Sequence, residues 1–176
     1  DKSRPTCLPL QVDKSVYFGG NRMKSFWNAT LAGTGAFLAI ALLTFSEQTL
    51  SDIALVMAPF GATVVLVFGV PDSPLAQPKN VIAGHFMTSV VGLCFLHWWG
   101  VSPFTLALAT GIGVSVMLVT KTTHPPAGAN PMLIMLSGQG WGFLFTPVLI
   151  GAISIVLVAQ AQKRIVAKYK LVTGAS

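Results

Sequence analysis

Apolar residues along this chain gather into six runs, separated by short polar or proline-rich stretches. The runs cover about residues 26–45, 53–70, 81–98, 104–120, 127–136 and 143–160. A helix needs about 20 apolar residues to cross the hydrocarbon of a bilayer. Runs one, three, four and six read as unbroken membrane helices on that measure. Run two is interrupted at Pro59, and run five follows a second interruption at 121–126. The expected fold is an all-α polytopic membrane protein of about six helical segments, arranged as a 3+3 inverted repeat with segments two and five broken. The alternative is four full spans plus two re-entrant segments. Around this core, 1–24 reads as a polar, interfacial leader, 25–162 as the transmembrane domain and 163–176 as a basic cytoplasmic tail.

The two interruptions resemble each other. Pro59-Phe60-Gly61-Ala62-Thr63 and Pro126-Ala127-Gly128-Ala129-Asn130 both read Pro-x-Gly-Ala and then a small polar residue. Proline and glycine interrupt a membrane helix and free backbone N–H and C=O groups, which are tolerated at membrane depth only against protein or a watery cavity. Matching interruptions in two halves of a chain point to a transporter binding site. If all six segments cross, the resumed helices start near Phe60 and Ala127, and their N-termini point to the middle from opposite faces. A helix N-terminus carries unpaired N–H groups and about half a positive charge. Two of them make an anion site without a buried lysine. Gly61 and Gly128 allow close backbone approach; Thr63 and Asn130 add side-chain donors. The bland alternative is that both breaks are packing devices, as kinks and small residues often are in membrane helices.

Composition agrees with the membrane assignment. Of 176 residues, 53% are hydrophobic and only 9% charged, against about 25% charged in soluble domains. From Ser25 to Gln162 the charged side chains are Glu47, Asp52, Asp72, Lys79 and Lys121. The net charge of +6 therefore belongs to tails and loops. Nucleic-acid binding would need a basic face on a soluble fold, and is not expected. With six crossings, Lys79, Lys121 and the C-terminal basic cluster share the side of the N-terminus, and Glu47 and Asp52 take the other. That is the positive-inside pattern, and it places both termini in the cytoplasm, with a bacterial inner membrane as the expected site. The Gly- and Ala-rich faces of segments one and four can serve dimer or trimer contacts.

Other candidate chemistry is sparse. Cys7 and Cys94 are the only cysteines, and one lies in a polar tail and one in an apolar run. Neither a disulfide, a metal site nor a cofactor is expected. No serine or cysteine has an activating neighbour, and no carboxylate pair exists, so the chain is not expected to be an enzyme. His124 can donate to an anion, carry a proton or cap a helix end. His85 can line a pathway. Lys121 can steer anions at the cytoplasmic mouth or mark a snorkelling boundary. His97, beside Trp98 and Trp99, reads as interfacial.

Thr123-His124-Pro125-Pro126-Ala127-Gly128-Ala129 matches the signature of the HPP family of integral membrane proteins. Ala58-Pro59-Phe60-Gly61-Ala62-Thr63 and Val70-Pro71-Asp72-Ser73-Pro74-Leu75-Ala76-Gln77-Pro78-Lys79, which runs on to His85, are similar to its other marked block. The resemblance covers about 27–161. Plastid and cyanobacterial members of the family are associated with nitrite transport. The resemblance thus implies a transporter of a small monovalent anion, with nitrite the leading candidate. Pro59, Phe60, Gly61, Ala62, Thr63, His124, Pro125, Pro126, Ala127, Gly128, Ala129 and Asn130 form the candidate binding residues. An anion channel and a non-transporting membrane sensor or scaffold are the alternatives.

Overall fold

The computed structural model describes residues 22–49 and 55–173. The leader 1–21 with Cys7, and Asp52 in the first turn, lie outside the described residues. Among the described residues all regular structure is helical: α1 spans Arg22–Thr49, α2 Pro59–Gly69, α3 Pro78–Trp99, α4 Pro103–Val119, α5 Asn130–Ser137 and α6 Ile150–Thr173. Basic residues 163–170, expected in a tail, continue α6 as one helix.

The helix boundaries follow from local chemistry. Four helices, α2 to α5, carry proline in the first or second position. Proline has no N–H there to leave unpaired, which matters in a solvent that accepts no hydrogen bonds. Ser102 and Thr105 form a reciprocal capping box at the start of α4, with N–H to side-chain oxygen distances of 3.1 and 2.9 Å. Gly100 (φ 70°) ends α3 and Gly138 (φ 65°) ends α5. Both need the positive φ that glycine adopts without strain.

Length separates two kinds of helix. α1, α3 and the 141–169 stretch are long and apolar enough to cross a bilayer. At 17 residues, α4 rises about 25 Å and is close to sufficient. With 11 and 8 residues, α2 and α5 rise only about 16 and 12 Å.

Both short helices are nevertheless parts of complete crossings. Glu47 near the end of α1 accepts the N–H groups of Leu55 and Val56, while Phe68 lies against Gly35. The segment 55–68 therefore retraces α1 from Glu47 back to Gly35. On the other side, Gly84 of α3 faces Thr122 and His124, Gly92 faces Pro131 and Ile134, and Phe95 clusters with Met135. The segment 122–135 thus runs beside α3 in the same direction. α4 runs against α3, with Gly113 beside Thr88 and Met117 beside Gly84. The sixth segment returns from Trp141, stacked near His97, to Gln162 of α6, which donates to Leu31 O at 2.6 Å.

Six segments therefore cross the bundle in alternating directions. One face carries the loops at Asp72 and Lys121, with the start of α1 and the end of α6. The other carries His97, Trp98, Trp99 and Trp141, packed ring to ring and all exposed. Segment six holds a third break that the apolar pattern does not announce. Residues Trp141–Leu144 form a 3-10 turn, and Thr146 leaves helical geometry (φ −129°, ψ 116°) before Pro147, which cannot donate to the ladder.

The interior has two kinds of apolar core. The larger packs Leu43 of α1, Phe60 and Val64 of α2 and Ile155 of α6 together, and draws in Val81 of α3. Smaller clusters join Leu93 and Phe95 of α3 to Ala109 of α4 and to Ile134 and Met135 of α5. α1 is the least enclosed: 17% of its most apolar stretch is buried, against 44% for α3.

The α3–α5 contact depends on Gly92. A Cβ there would lie 2.8 Å from Pro131 Cα and 3.4 Å from Ile134 Cβ. Gly92→Ala is expected to destabilise the fold by about 1–3 kcal/mol, the usual scale of overpacking. Gly111→Ala, whose Cβ meets nothing within 4 Å, should be neutral or stabilising. Thermal unfolding of both variants in one detergent checks the difference.

Candidate functional site

α3 carries small and polar residues on one face of an otherwise apolar helix. Gly84, His85, Thr88, Ser89 and Gly92 recur at helical spacing, and all are buried. The two glycines admit neighbouring backbone. Gly84 lets the chain at Thr122–His124 approach so closely that a Cβ would sit 2.9 Å from both Thr122 O and His124 Cβ. Asn80, one turn earlier, donates to Thr123 O at 2.9 Å and ties the same stretch to α3. Pro125 and Pro126 then open a single 3-10 turn, Pro125–Ala129, that leads into α5.

Four buried polar side chains meet at this face. Thr63 of α2 lies 2.8 Å from His85 Nε2 and 3.0 Å from His124 Nε2 through its one hydroxyl. The His124 Nδ1 is 2.8 Å from Leu75 O, and Asn130 Nδ2 is 3.0 Å from His85 Nδ1. Thr63, His85, His124 and Asn130 are each 0% exposed. The Phe60 and His85 rings meet edge to face at 5.3 Å between centroids, and the two imidazoles are 5.1 Å apart.

The partners fix the direction of each bond. A carbonyl only accepts, so His124 Nδ1 carries a proton and donates to Leu75 O. Its Nε2 is then a bare acceptor in the neutral ring. The Asn130 amide nitrogen also lies 3.1 Å from His85 O, which orients it as a donor. His85 Nδ1 therefore accepts, and its Nε2–H donates to Thr63. The Thr63 hydroxyl donates in turn to His124 Nε2, with Pro59 O at 3.1 Å as its other acceptor. All four bonds run one way, from Asn130 to Leu75 O. Asn130 Nδ2 also reaches Thr88 Oγ1 (3.1 Å) and Ser89 Oγ (3.0 Å), whereas the buried Asn130 Oδ1 has no partner.

The starts of the two short helices come together here. α2 fills the half of the bundle towards the Asp72 face and α5 the half towards the tryptophans, so each presents its first turn to the centre. Thr63 in α2 and Asn130 at the head of α5 bond to opposite nitrogens of His85. Of the other candidate residues, Pro59, Phe60 and Ala127 are buried, while Pro126, Gly128 and Ala129 are half-buried. Pro125 and Lys121 are exposed, as are Gly61 and Ala62, which fall on the side of α2 away from Thr63. The backbone donors are also fewer than the breaks suggest: Phe60 N–H donates to Met57 O and Gly61 N–H to Ala58 O. Sequence reasoning missed Thr88, Ser89 and the carbonyl of Leu75. The first two were signalled by their helical spacing from His85.

Burial divides the histidines. Diethyl pyrocarbonate is expected to modify exposed His97 and to spare His85 and His124. Asn130→Ala, which removes the amide from His85, should make His85 reactive. Peptide mass spectrometry of the labelled protein reads both outcomes.

The family described as HPP, transmembrane region, matches residues 21–170. A transmembrane protein of Dictyostelium discoideum is 35% identical over 145 residues, which is 76% of this chain and 48% of the relative. A second from the same organism is 30% identical over 141 residues, 76% of this chain and 44% of the relative. The chain spans about half the length of these curated relatives. No solved structure matches it. With its signature stretch at Thr123–Ala129 at the centre of the bundle and the match running across all six helices, the chain belongs to the HPP transmembrane family.

Proposed function

We propose that this protein carries a small monovalent anion across the bilayer, with nitrite the leading candidate. The observation that supports this most is the meeting of the two interrupted helices at one buried polar centre. Thr63, His85, His124 and Asn130 offer O–H and N–H donors there without any carboxylate to repel an anion, and the first turns of α2 and α5 add the positive ends of two helix dipoles. A neutral, donor-rich site suits a singly charged ion, which must leave again after crossing. Full burial of all four side chains suits a carrier that opens alternately, and suits a permanently open pore less well.

The lysines support an orientation with both termini in the cytoplasm. Lys79, Lys121 and Lys163 lie on the face that also holds the start of α1, which the positive-inside rule assigns to the cytoplasm. Nitrite itself comes from the resemblance of the Thr123–Ala129 and Ala58–Lys79 stretches to nitrite-transporting members. In this proposal Gly128 keeps the approach to the centre low and unobstructed.

Uptake of nitrite into proteoliposomes tests the proposal, with formate, nitrate, bicarbonate, chloride and sulfite as competitors. Saturable uptake above empty liposomes is the expected result. A valine at Gly61 or Gly128 begins in open space, since a Cβ at either meets nothing within 4 Å. Gly128→Val is therefore expected to fold and to lose uptake. Normal uptake by the folded variant would remove the helix starts from the site. A folded wild type that neither takes up nitrite nor shows competition would leave a membrane protein with a sensing or scaffolding role.

A further inference from the structure

We infer that His85, Thr63 and His124 form a proton relay, so that the protein moves a proton together with its anion; this rests on the carrier reading above. The geometry behind it is the unbroken direction of the bonds. His85 Nε2–H faces Thr63 Oγ1 at 2.8 Å, and the Thr63 O–H faces His124 Nε2 at 3.0 Å. A hydroxyl between two imidazoles can accept from one and donate to the other in the same movement. A network that only tied helices together would not need both rings in opposite tautomers with one shared hydroxyl.

The transfer balances. A proton arrives on the lone pair of His85 Nδ1 when the Asn130 amide moves aside. The Nε2–H of His85 passes to Thr63 Oγ1 as the Thr63 proton passes to His124 Nε2. His124 then releases its Nδ1 proton, now held against Leu75 O, to water. One proton enters and one leaves, and each ring ends neutral in its other tautomer; rotation of the Thr63 hydroxyl, with exchange of each ring's own proton between its two nitrogens through water, resets the chain without carrying a proton back.

Both ends of the relay have features that suit it. On the exit side, Leu75 sits in the turn Pro74–Ala76, and the next residue, Ala76, lines a cavity of about 240 Å³ together with Gln77, Pro78 and Lys163. At the start, Asn130 Oδ1 is buried and unpartnered. A bare anion has nothing to donate to this oxygen, whereas the protonated weak acid of the same anion, or a water, does. Leaving such a buried acceptor unserved is unfavourable, so a proton-bearing guest is favoured beside His85. The groups facing the two rings are Phe60, Thr63 and Asn130, with Thr88 and Ser89 sharing the Asn130 amide, and none is charged. Asp72, Lys79, Lys121 and Lys163 all lie exposed on the loop face.

The test loads proteoliposomes with a pH-sensitive dye and follows nitrite and internal pH together, under an imposed pH gradient, with and without nitrite. Thr63→Val and Thr63→Ser are compared with wild type. Nitrite uptake with a matching proton flux supports both the carrier and the relay. The relay then requires Thr63→Val to lower proton flux by about a hundredfold or more, the scale of a positioned proton-transfer group, and Thr63→Ser to restore it. Nitrite uptake without proton movement, or an undiminished proton-to-nitrite ratio in Thr63→Val, overturns the relay and leaves the carrier standing. Proton flux without nitrite uptake, lost in Thr63→Val and kept in Thr63→Ser, keeps the relay and removes the anion. No flux of either kind removes both. Nitrogen-15 NMR of histidine-labelled wild type is a check independent of folding in the variants: His85 as the Nε2–H tautomer and His124 as Nδ1–H are expected, and a His124 protonated on Nε2 alone overturns the relay.

Discussion

A bilayer offers no hydrogen-bond partner to a backbone that leaves the helix, and the rest of this structure follows from how that constraint is met at two proline-led breaks. The protein meets the breaks with α3 and with turns inside the breaks themselves. The carbonyl of Thr123 takes the Asn80 amide, the carbonyl of Leu75 takes the His124 ring, and Phe60 and Gly61 turn back onto Met57 and Ala58. Such close approach needs a helix with little bulk on one face. Gly84 and Gly92 supply it at the two places where foreign backbone comes nearest.

The polar centre also lies where the two kinds of apolar core meet. Phe60 and Val64 belong with α1 and α6, whereas Leu93 and Ile134 belong with α3 and α5. Thr63 reaches across from one group to histidines held by the other. An apolar seam would resist parting because each lost contact has no replacement, while a hydrogen bond can be exchanged for one to a guest of matching polarity. On the proposed carrier reading, the same groups hold the halves together when empty and hold the anion when apart.

Most of the architecture was legible because the solvent is so demanding. Apolar runs of helix length located all six segments, and the paired Pro-x-Gly-Ala stretches located both breaks. The third break, at Thr146, escaped because a lone proline in an apolar run resembles an ordinary kink. Within the site, Thr63 and Asn130 were found because they sit at matched places after each break, and His124 because it stands directly before Pro125-Pro126. His85 was seen only as a pathway residue, since it lies in an unbroken helix and its link to Thr63 spans 22 positions and to Asn130 spans 45. Gly61 and Ala62 face outward for a reason that the motif alone hides: once Thr63 points inward, a turn of 3.6 residues carries its two predecessors to the other side.

The sparse enclosure of α1 has its own consequence. With 17% of its most apolar stretch buried, this helix turns most of that stretch out of the bundle, and it is held through the short α2 and through its packing and the Gln162–Leu31 bond to α6. Its position is thus a property of the lipid as much as of the chain. Bilayers of different thickness tilt such a helix differently. Because Glu47 of α1 holds the N–H groups of Leu55 and Val56 just ahead of α2, membrane thickness acts as a lever on the first break and on the polar centre behind it.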